Sequence, residues 1–354
     1  MFDLNKSRTF GYDLPMGISS NTTDGKNNTN SNALINEYKG NLFEYLVAIS
    51  TAKRLGIEAA FLQSFGGEAK QRLTFYQHEL MELDRSLYTQ LPVFAEEVAE
   101  LLYKKASDRK IENILVMGKS AGASHDESYG ECDIMMVSQK HQYPYSLKFC
   151  KYGAYVNTKS GGIRSFFNKY FADYGNKANL FQEKLNKLLD VSFEQMAREL
   201  YEAIGLDFDV DDKAFGAMWT GPTLPGQLDD KSHKYLLAHY YRVIEYMEDC
   251  FRELYESDQK LFIKSLAPIV GLKDDKIEQI VCFHDSNKTS QDIKFYNDKD
   301  HKKAVKDIEF LPFKDNVSSF EIRLGKRLLQ IRVKPMNIFT VSGLKVNCSM
   351  KYIK

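Results

Sequence analysis

The polar side chains of one predicted β-hairpin are the residues of this chain best suited to chemistry. An apolar run, CDIMMVS (132–138), a turn, QKHQYP, and a second run, YSLKFCKY (145–152), predict two antiparallel strands. Side chains alternate between the faces of such a pair, and we expect Ser138 to pair with Tyr145. The faces would then hold Ile134, Met136, Leu147 and Phe149 on one side and Asp133, Met135, Ser146, Lys148 and Cys150 on the other. An acid and a lysine thus share the face opposite the apolar one, where burial requires a partner or a function.

The order of these residues resembles a known motif. Asp133 begins an apolar strand, and the strand after the turn carries Ser146-Leu147-Lys148, which is similar to the PD-(D/E)xK nucleases of restriction-endonuclease-like fold. That superfamily usually has a glutamate on an upstream helix, and the segment GNLFEYLVA offers Glu44 after a glycine. The similarity covers about residues 33–175.

Ser146 departs from the family pattern, which usually has Glu or Asp at this position. A neutral hydroxyl is a weaker ligand for a hard cation than a carboxylate. Chemistry with a single metal ion, or replacement of the missing acid by Glu131 or Glu44, is therefore expected.

The resemblance implies a restriction-type endonuclease that hydrolyses phosphodiester bonds of double-stranded DNA with Mg²⁺ (or Mn²⁺). Asp133 and Glu44, with Glu131 as a further candidate, would bind the metal, and the backbone carbonyl of Leu147 would complete the site. Lys148 would orient the attacking water or stabilise the charge on the phosphate oxygens.

The resemblance also implies DNA contacts just after the hairpin. The stretch NTKSGGIRSFFNKYF (157–171) takes the place of the helix that follows the catalytic strands in this fold. Its basic side chains would contact phosphates, and its polar and glycine residues would present amides near a helix start. The predicted contacts are Lys151, Asn157, Lys159, Ser160, Arg164 and Lys169, with Gly161 and Gly162 offering backbone amides.

Three alternatives stay open from the sequence. Asp133 and Lys148 would form an ordinary surface ion pair in a protein without this activity. GKS (118–120) followed by Glu131 and Asp133 is reminiscent of a nucleotidyltransferase, although its Gly and Ser are not adjacent. The third alternative is a nucleic-acid or protein binding module in which Ser146 marks the loss of the metal.

Composition narrows the class of protein. Across 354 residues the formal net charge is zero, which argues against nonspecific coating of nucleic acid. Basic residues without any acid cluster instead in 148–172 and 322–354. The five cysteines are an odd number without CxxC spacing, and no run approaches the roughly 20 apolar residues of a membrane span. We therefore expect a cytoplasmic protein with reduced thiols and no membrane association.

The remaining pattern predicts an α/β (α+β) fold with additional helical and C-terminal β-rich parts. The resemblance implies that its core is a mixed, restriction-endonuclease-like sheet flanked by helices. Helices are predicted over 33–55, 68–88, 93–107, 163–174, 176–204 and 231–270, with a break at Leu91-Pro92, and a strand over 111–117. The predicted organisation is a flexible segment (1–32), a nuclease-like core (33–175), a helical region (176–272) and a basic β-rich region (273–354). The last two regions are candidates for sequence recognition or homodimerisation.

Overall fold

The computed structural model describes residues 27–117, 132–209, 215–216, 218–272, 277–285, 287, 291–304 and 307–353. These described residues form nine α-helices and ten β-strands, which confirms the predicted mixed α/β class. The helices are α1 (Asn27–Leu55), α2 (Glu58–Ser64), α3 (Gly67–Leu83), α4 (Arg85–Ala106), α5 (Phe166–Tyr170), α6 (Asn176–Ala203), α7 (Asp230–Ser257), α8 (Gln259–Leu266) and α9 (Asp298–Ala304). The strands are β1 (Asn113–Val116), β2 (Ile134–Val137), β3 (Gln142–Lys151), β4 (Tyr155–Gly162), β5 (Glu278–His284), β6 (Gln291–Tyr296), β7 (Ile308–Phe310), β8 (Ser319–Leu324), β9 (Arg327–Pro335) and β10 (Leu344–Tyr352).

The strands belong to two five-stranded sheets. The first sheet has the order β1-β2-β3-β5-β6 and is mixed, because β3 and β5 run parallel while its other neighbours are antiparallel. The second sheet has the order β4-β10-β9-β8-β7 and is antiparallel throughout. Each sheet contains strands from the predicted core (33–175) and from the predicted C-terminal region (273–354).

The N-terminal helices cover one face of the first sheet. α1 ends at Gly56, whose φ of +73° favours glycine, as the sequence predicts, but the helix begins six residues before Ala33, at Asn27. Phe43 of α1 stacks on Phe149 of β3 with ring centroids 4.7 Å apart, and both are buried. Packing of this kind fixes α1 against the strand that carries Lys148.

Pro92 lies inside α4, so the predicted break at Leu91-Pro92 is wrong. The chain breaks instead at Asp84, whose side chain accepts a hydrogen bond from the Leu87 amide (3.0 Å) and caps α4. A proline removes one hydrogen bond of a helix. Burial of the apolar face of α4, including Leu91 and Phe94, holds the helix together across that position.

A second core lies between the long α6–α7 pair and the second sheet. Alternate residues of β8 and β9, such as Phe320 and Ile331, point into it and are fully buried. Phe251 of α7 packs edge-on against Phe320 with centroids 5.3 Å apart. The β-rich region predicted over 273–354 is confirmed, since it contains β5, β6, β7, β8, β9 and β10. Within the described ranges, no helix is both long and apolar enough to cross a membrane.

Because two histidines are buried, we expect the protein to lose stability in acid. Burial lowers the pKa of His239 and of His301 from 6.5 to about 4. The unfolded chain therefore binds more protons between these values, and the free energy of unfolding falls as pH drops from 6.5 towards 4, by about 3 kcal/mol for each histidine. Urea unfolding of the His239→Gln variant between pH 7 and 4 is expected to show a smaller loss than wild type. Replacement of the exposed His78 should leave the loss unchanged, and an equal loss in all three proteins would contradict the prediction.

Candidate active site at the β2–β3 hairpin

The hairpin forms with the predicted faces but a different pairing. Ile134 pairs with Tyr145, and the amide of Ser138 donates to the His141 carbonyl (2.9 Å) to close a tighter turn. The predicted pairing of Ser138 with Tyr145 is wrong by four positions. An even shift leaves every side chain on its predicted face, so the core face is buried with the N-terminal helices and Ser146 lies opposite it.

Asp133 is the centre of a compact polar cluster. Its Oδ2 accepts hydrogen bonds from Ser146 Oγ (3.1 Å), the backbone amide of Leu147 (2.6 Å) and Lys148 Nζ (3.2 Å). The side chains of Asp133 and Lys148 are only 17% and 15% exposed, and Ser146 is fully buried. The Asp133–Lys148 pair is therefore more sheltered from solvent than an ordinary surface ion pair.

Asp133 itself is held by the backbone of neighbouring strands. Its amide donates to the Tyr145 carbonyl (2.8 Å), and its carbonyl accepts from the Met117 amide (2.9 Å) just after β1. Since both bonds extend the ladders of the first sheet, the carboxylate lies at a rigid strand end.

Glu44 completes the cluster from α1. Its Oε2 is buried and has no hydrogen-bond partner among the described residues. Burial, reinforced by the nearby Asp133 carboxylate, raises the pKa of Glu44 well above its ordinary value, and Lys148 opposes that shift. The structure therefore brings Glu44, Asp133, Ser146 and Lys148 together, although α1 and the hairpin are separate in sequence.

The donor set of this cluster fits one hard cation. It offers two carboxylates and a hydroxyl, all oxygen donors of the type that Mg²⁺ and Mn²⁺ prefer. The backbone amide of Leu147 donates to Asp133, and a role for its carbonyl as a ligand stays a prediction. The buried Oε2 of Glu44 has no hydrogen-bond partner and is therefore available to a cation. No group of three or more His, Cys, Asp or Glu side chains suited to a metal occurs in the described part of the chain. Glu131, the predicted further ligand, lies outside the described residues.

Sequence reasoning missed Gln279, which lies beside the cluster on β5. It is buried and pairs in parallel register with Ser146. The Tyr352 hydroxyl donates to its Oε1 (2.5 Å), and its Nε2 donates to the Val270 carbonyl (3.5 Å). Gln279 thus links the strand of the site to the second sheet. No local signal in the sequence indicates that β5 pairs with β3.

Part of the segment predicted to contact DNA forms a strand. Residues 157–162 form most of β4, an edge strand of the second sheet paired with β10. Helical structure predicted over 163–174 follows directly, as a 3-10 turn (Ile163–Ser165), α5 and a second 3-10 turn (Ala172–Tyr174). A Cβ at Gly161 would lie 3.3 Å from the Tyr170 hydroxyl, which gives this glycine a packing role. The first α-helix after β4 is the five-residue α5.

The predicted contact side chains point in different directions. Ser160 donates to Asn347 Oδ1 (2.8 Å), whereas Lys159 lies opposite the buried Cys348 in the register. When its side-chain amide is turned by 180°, the Asn157 nitrogen donates to the carbonyls of Lys159 (3.3 Å) and Cys348 (3.1 Å), so that the side chain holds the β4 edge. Asn157 therefore has a structural role in the folded chain.

The other three predicted contacts lie near the ends of elements. Arg164 pairs with Asp190 Oδ1 (2.5 Å) on α6, which reduces its charge available to a phosphate. Lys169 is exposed on α5, and Lys151 is exposed at the end of β3. Their contact with DNA stays a prediction.

The sequence matches no protein-family model and no curated protein. The geometry around Asp133 is therefore the basis for the function proposed for this chain. The nucleotidyltransferase alternative stays a prediction, because GKS (118–120) and Glu131 lie outside the described residues.

Proposed function

We propose that this protein is a metal-dependent endonuclease that hydrolyses phosphodiester bonds of double-stranded DNA. One observation carries the proposal: Glu44, a buried carboxylate with an unpartnered oxygen, converges on the sheltered Asp133–Lys148 pair. Two carboxylates placed together in a dry site repel each other, and a divalent cation relieves that cost.

Each residue has a definable role in such a reaction. Glu44 and Asp133 would hold Mg²⁺ or Mn²⁺, with the carbonyl of Leu147 as a further ligand. When bound, the ion supplies positive charge beside the scissile phosphate and lowers the pKa of an attacking water. Lys148, now donating to Asp133, is placed to donate to a phosphate oxygen as negative charge builds on it. Ser146 donates to the same Asp133 oxygen and so orients the carboxylate.

The departure at Ser146 favours one second candidate, a DNA-binding protein of nuclease-like fold without catalysis. Ser146 is fully buried and offers a hydroxyl in place of the family's second acid. Fewer charged ligands weaken a hard-cation site. Metal binding decides between the two candidates.

Calorimetric titration of the metal-free protein with Mg²⁺ and Mn²⁺ tests the proposal. We expect saturable binding that Asp133→Ala abolishes. Asp173→Ala is the matched control, because Asp173 is an exposed carboxylate that pairs with Lys264 (2.7 Å) and with no residue of the cluster. Absence of binding in wild type, or binding that Asp133→Ala leaves intact, would contradict the proposed metal site.

Restoring an acid at position 146 is expected to strengthen metal binding. Ser146→Asp adds a third carboxylate in the buried cluster, so the metal-free protein should melt at a lower temperature than wild type. Mn²⁺ should then bind about tenfold more tightly, because the site gains a charged ligand. Calorimetry and thermal melting with and without Mn²⁺ measure both effects.

Ser146→Ala is the control for this substitution, since it removes the hydroxyl without adding charge. Loss of the hydrogen bond to Asp133 should cost about 1 kcal/mol of stability. If the Asp variant binds Mn²⁺ no more tightly than the Ala variant, position 146 does not face the metal.

A further inference from the structure

The outward face of the second sheet has an unusual charge distribution. Its three adjacent strands β4, β10 and β9 contain no Asp or Glu. Alternate side chains of β9 and β10, such as Ile331 and Val346, point inward and are buried, whereas most of the outward side chains are polar. We call this outward side the basic face; its residues on β9 and β10 are Leu328, Gln330, Arg332, Lys334, Lys345, Asn347, Ser349 and Lys351.

Cations crowd together at one end of the basic face. Lys334 and Lys345 are directly opposite each other across β9 and β10, and Arg332 is opposite Asn347, one side-chain position along. Like charges directly opposite on neighbouring strands destabilise a sheet. Partial burial lowers the pKa of Lys334, and the nearby Lys345 and Arg332 lower it further. No ion pair to a described carboxylate relieves this cluster.

A side-chain contact crosses the other end of the basic face. Tyr155 on β4 donates a hydrogen bond to Glu321 on β8, although β10 and β9 lie between these strands. Lys351 lies over the Tyr155 ring at 5.5 Å and adds a cation at this end.

We propose that the basic face binds the sugar-phosphate backbone of duplex DNA. The proposal rests on the proposed nuclease function and names the surface that holds its substrate. Cations on three adjacent strands that carry no acid suit a polyanion, and Glu321 on the neighbouring β8 is already held by Tyr155 and Gln330. The amide nitrogen of Asn347, whose side-chain oxygen accepts a hydrogen bond from Ser160, lies among the cations and suits a hydrogen bond to a phosphate.

The link between β5 and β10 connects this surface to the candidate active site. Gln279, which pairs with Ser146, accepts a hydrogen bond from Tyr352 at the end of β10. DNA held along β10 is therefore attached to the element that contacts the strand of the site. The basic face would position the duplex, and the hairpin would cut it.

Fluorescence anisotropy with a labelled duplex of about 30 base pairs tests the surface. Binding is measured in EDTA, from about 50 to 200 mM salt, so that cleavage plays no part. The variant Lys334→Gln/Lys345→Gln is expected to bind about tenfold more weakly and to lower the slope of log K against log salt by about 2, since each phosphate contact contributes about 0.9. The control Lys187→Gln/Lys260→Gln removes two exposed lysines from α6 and α8 and should bind as wild type does.

Each outcome decides the proposal. Equal binding by wild type and the Lys334/Lys345 variant, with unchanged melting temperatures, would overturn it. Poly-glutamate serves as a second probe. If wild type binds no duplex but binds poly-glutamate, and the Lys334/Lys345 variant loses that binding, the proposal is overturned in favour of an acidic protein partner. Duplex binding that depends on Lys334 and Lys345 without any cleavage would support the surface and count against the nuclease. Equal cleavage and equal duplex binding by wild type and variant would support the nuclease and count against the surface.

Discussion

Replacing Lys148 with alanine is expected to reduce metal-dependent DNA cleavage by about 10²- to 10³-fold, the usual effect of removing one preorganised donor to a developing negative charge. Lys148 Nζ lies 3.2 Å from Asp133 Oδ2 and is largely sheltered from solvent, so its charge is little screened. Metal binding should persist in the variant, because both carboxylates remain. Initial cleavage rates of a plasmid and calorimetry with Mn²⁺ measure the two properties separately.

Lys105→Ala is the matched control for this variant. Lys105 forms a partly buried ion pair with Glu278 at the start of β5 in the same sheet, and it makes no ion pair with the proposed site residues. Its loss should affect stability but not the cleavage rate per folded molecule. A nucleotidyltransferase has no need of Lys148, so full activity of Lys148→Ala on a nucleotidyl-transfer reaction would favour that alternative.

The second large effect is expected at Glu44, where Glu44→Gln should stabilise the metal-free protein and remove its response to metal. Because burial raises the pKa of Glu44, the native state keeps a proton that the unfolded chain releases. Stability conferred by this group is complete below the unfolded pKa and falls by up to about 1.4 kcal/mol per pH unit until the folded pKa is reached. The variant lacks this loss, so its advantage in melting temperature should grow as pH rises above about 4.5.

Glu248→Gln provides the comparison for Glu44→Gln. Glu248 on α7 is also buried with a raised pKa, but its partner is Arg252 and it lies in the other core. We expect Mn²⁺ to raise the melting temperature of wild type and Glu248→Gln, and to leave that of Glu44→Gln unchanged. An undiminished metal response in Glu44→Gln would remove Glu44 from the site.

The faces of the hairpin could be predicted from sequence because strand geometry has a period of two. The exact partner of Tyr145 was wrong by four positions, yet Asp133, Ser146 and Lys148 still share the predicted side. Glu44 could be proposed from its place after a glycine in an apolar helix. Its burial depends on the packing of Phe43 against Phe149, which no local pattern of α1 specifies.

Long-range pairing was the part that the sequence could not supply. β5 joins the site strand β3 in parallel from the far side of α7 and α8, and nothing in its apolar pattern selects that neighbour. The stretch 157–162 is basic, polar and rich in glycine, which is typical of a loop before a helix. Pairing with β10 supplies its backbone hydrogen bonds and makes it a strand.

The most direct test of the account is cleavage itself. Linear duplex, circular duplex and single-stranded DNA are each incubated with the protein and Mg²⁺ or Mn²⁺, with Asp133→Ala and EDTA as controls. We predict cutting of both duplex forms, including the circle that has no ends, and its loss in both controls. Intact DNA in every wild-type reaction, or equal cutting by Asp133→Ala, would contradict the assignment of Glu44, Asp133 and Lys148 as a nuclease site.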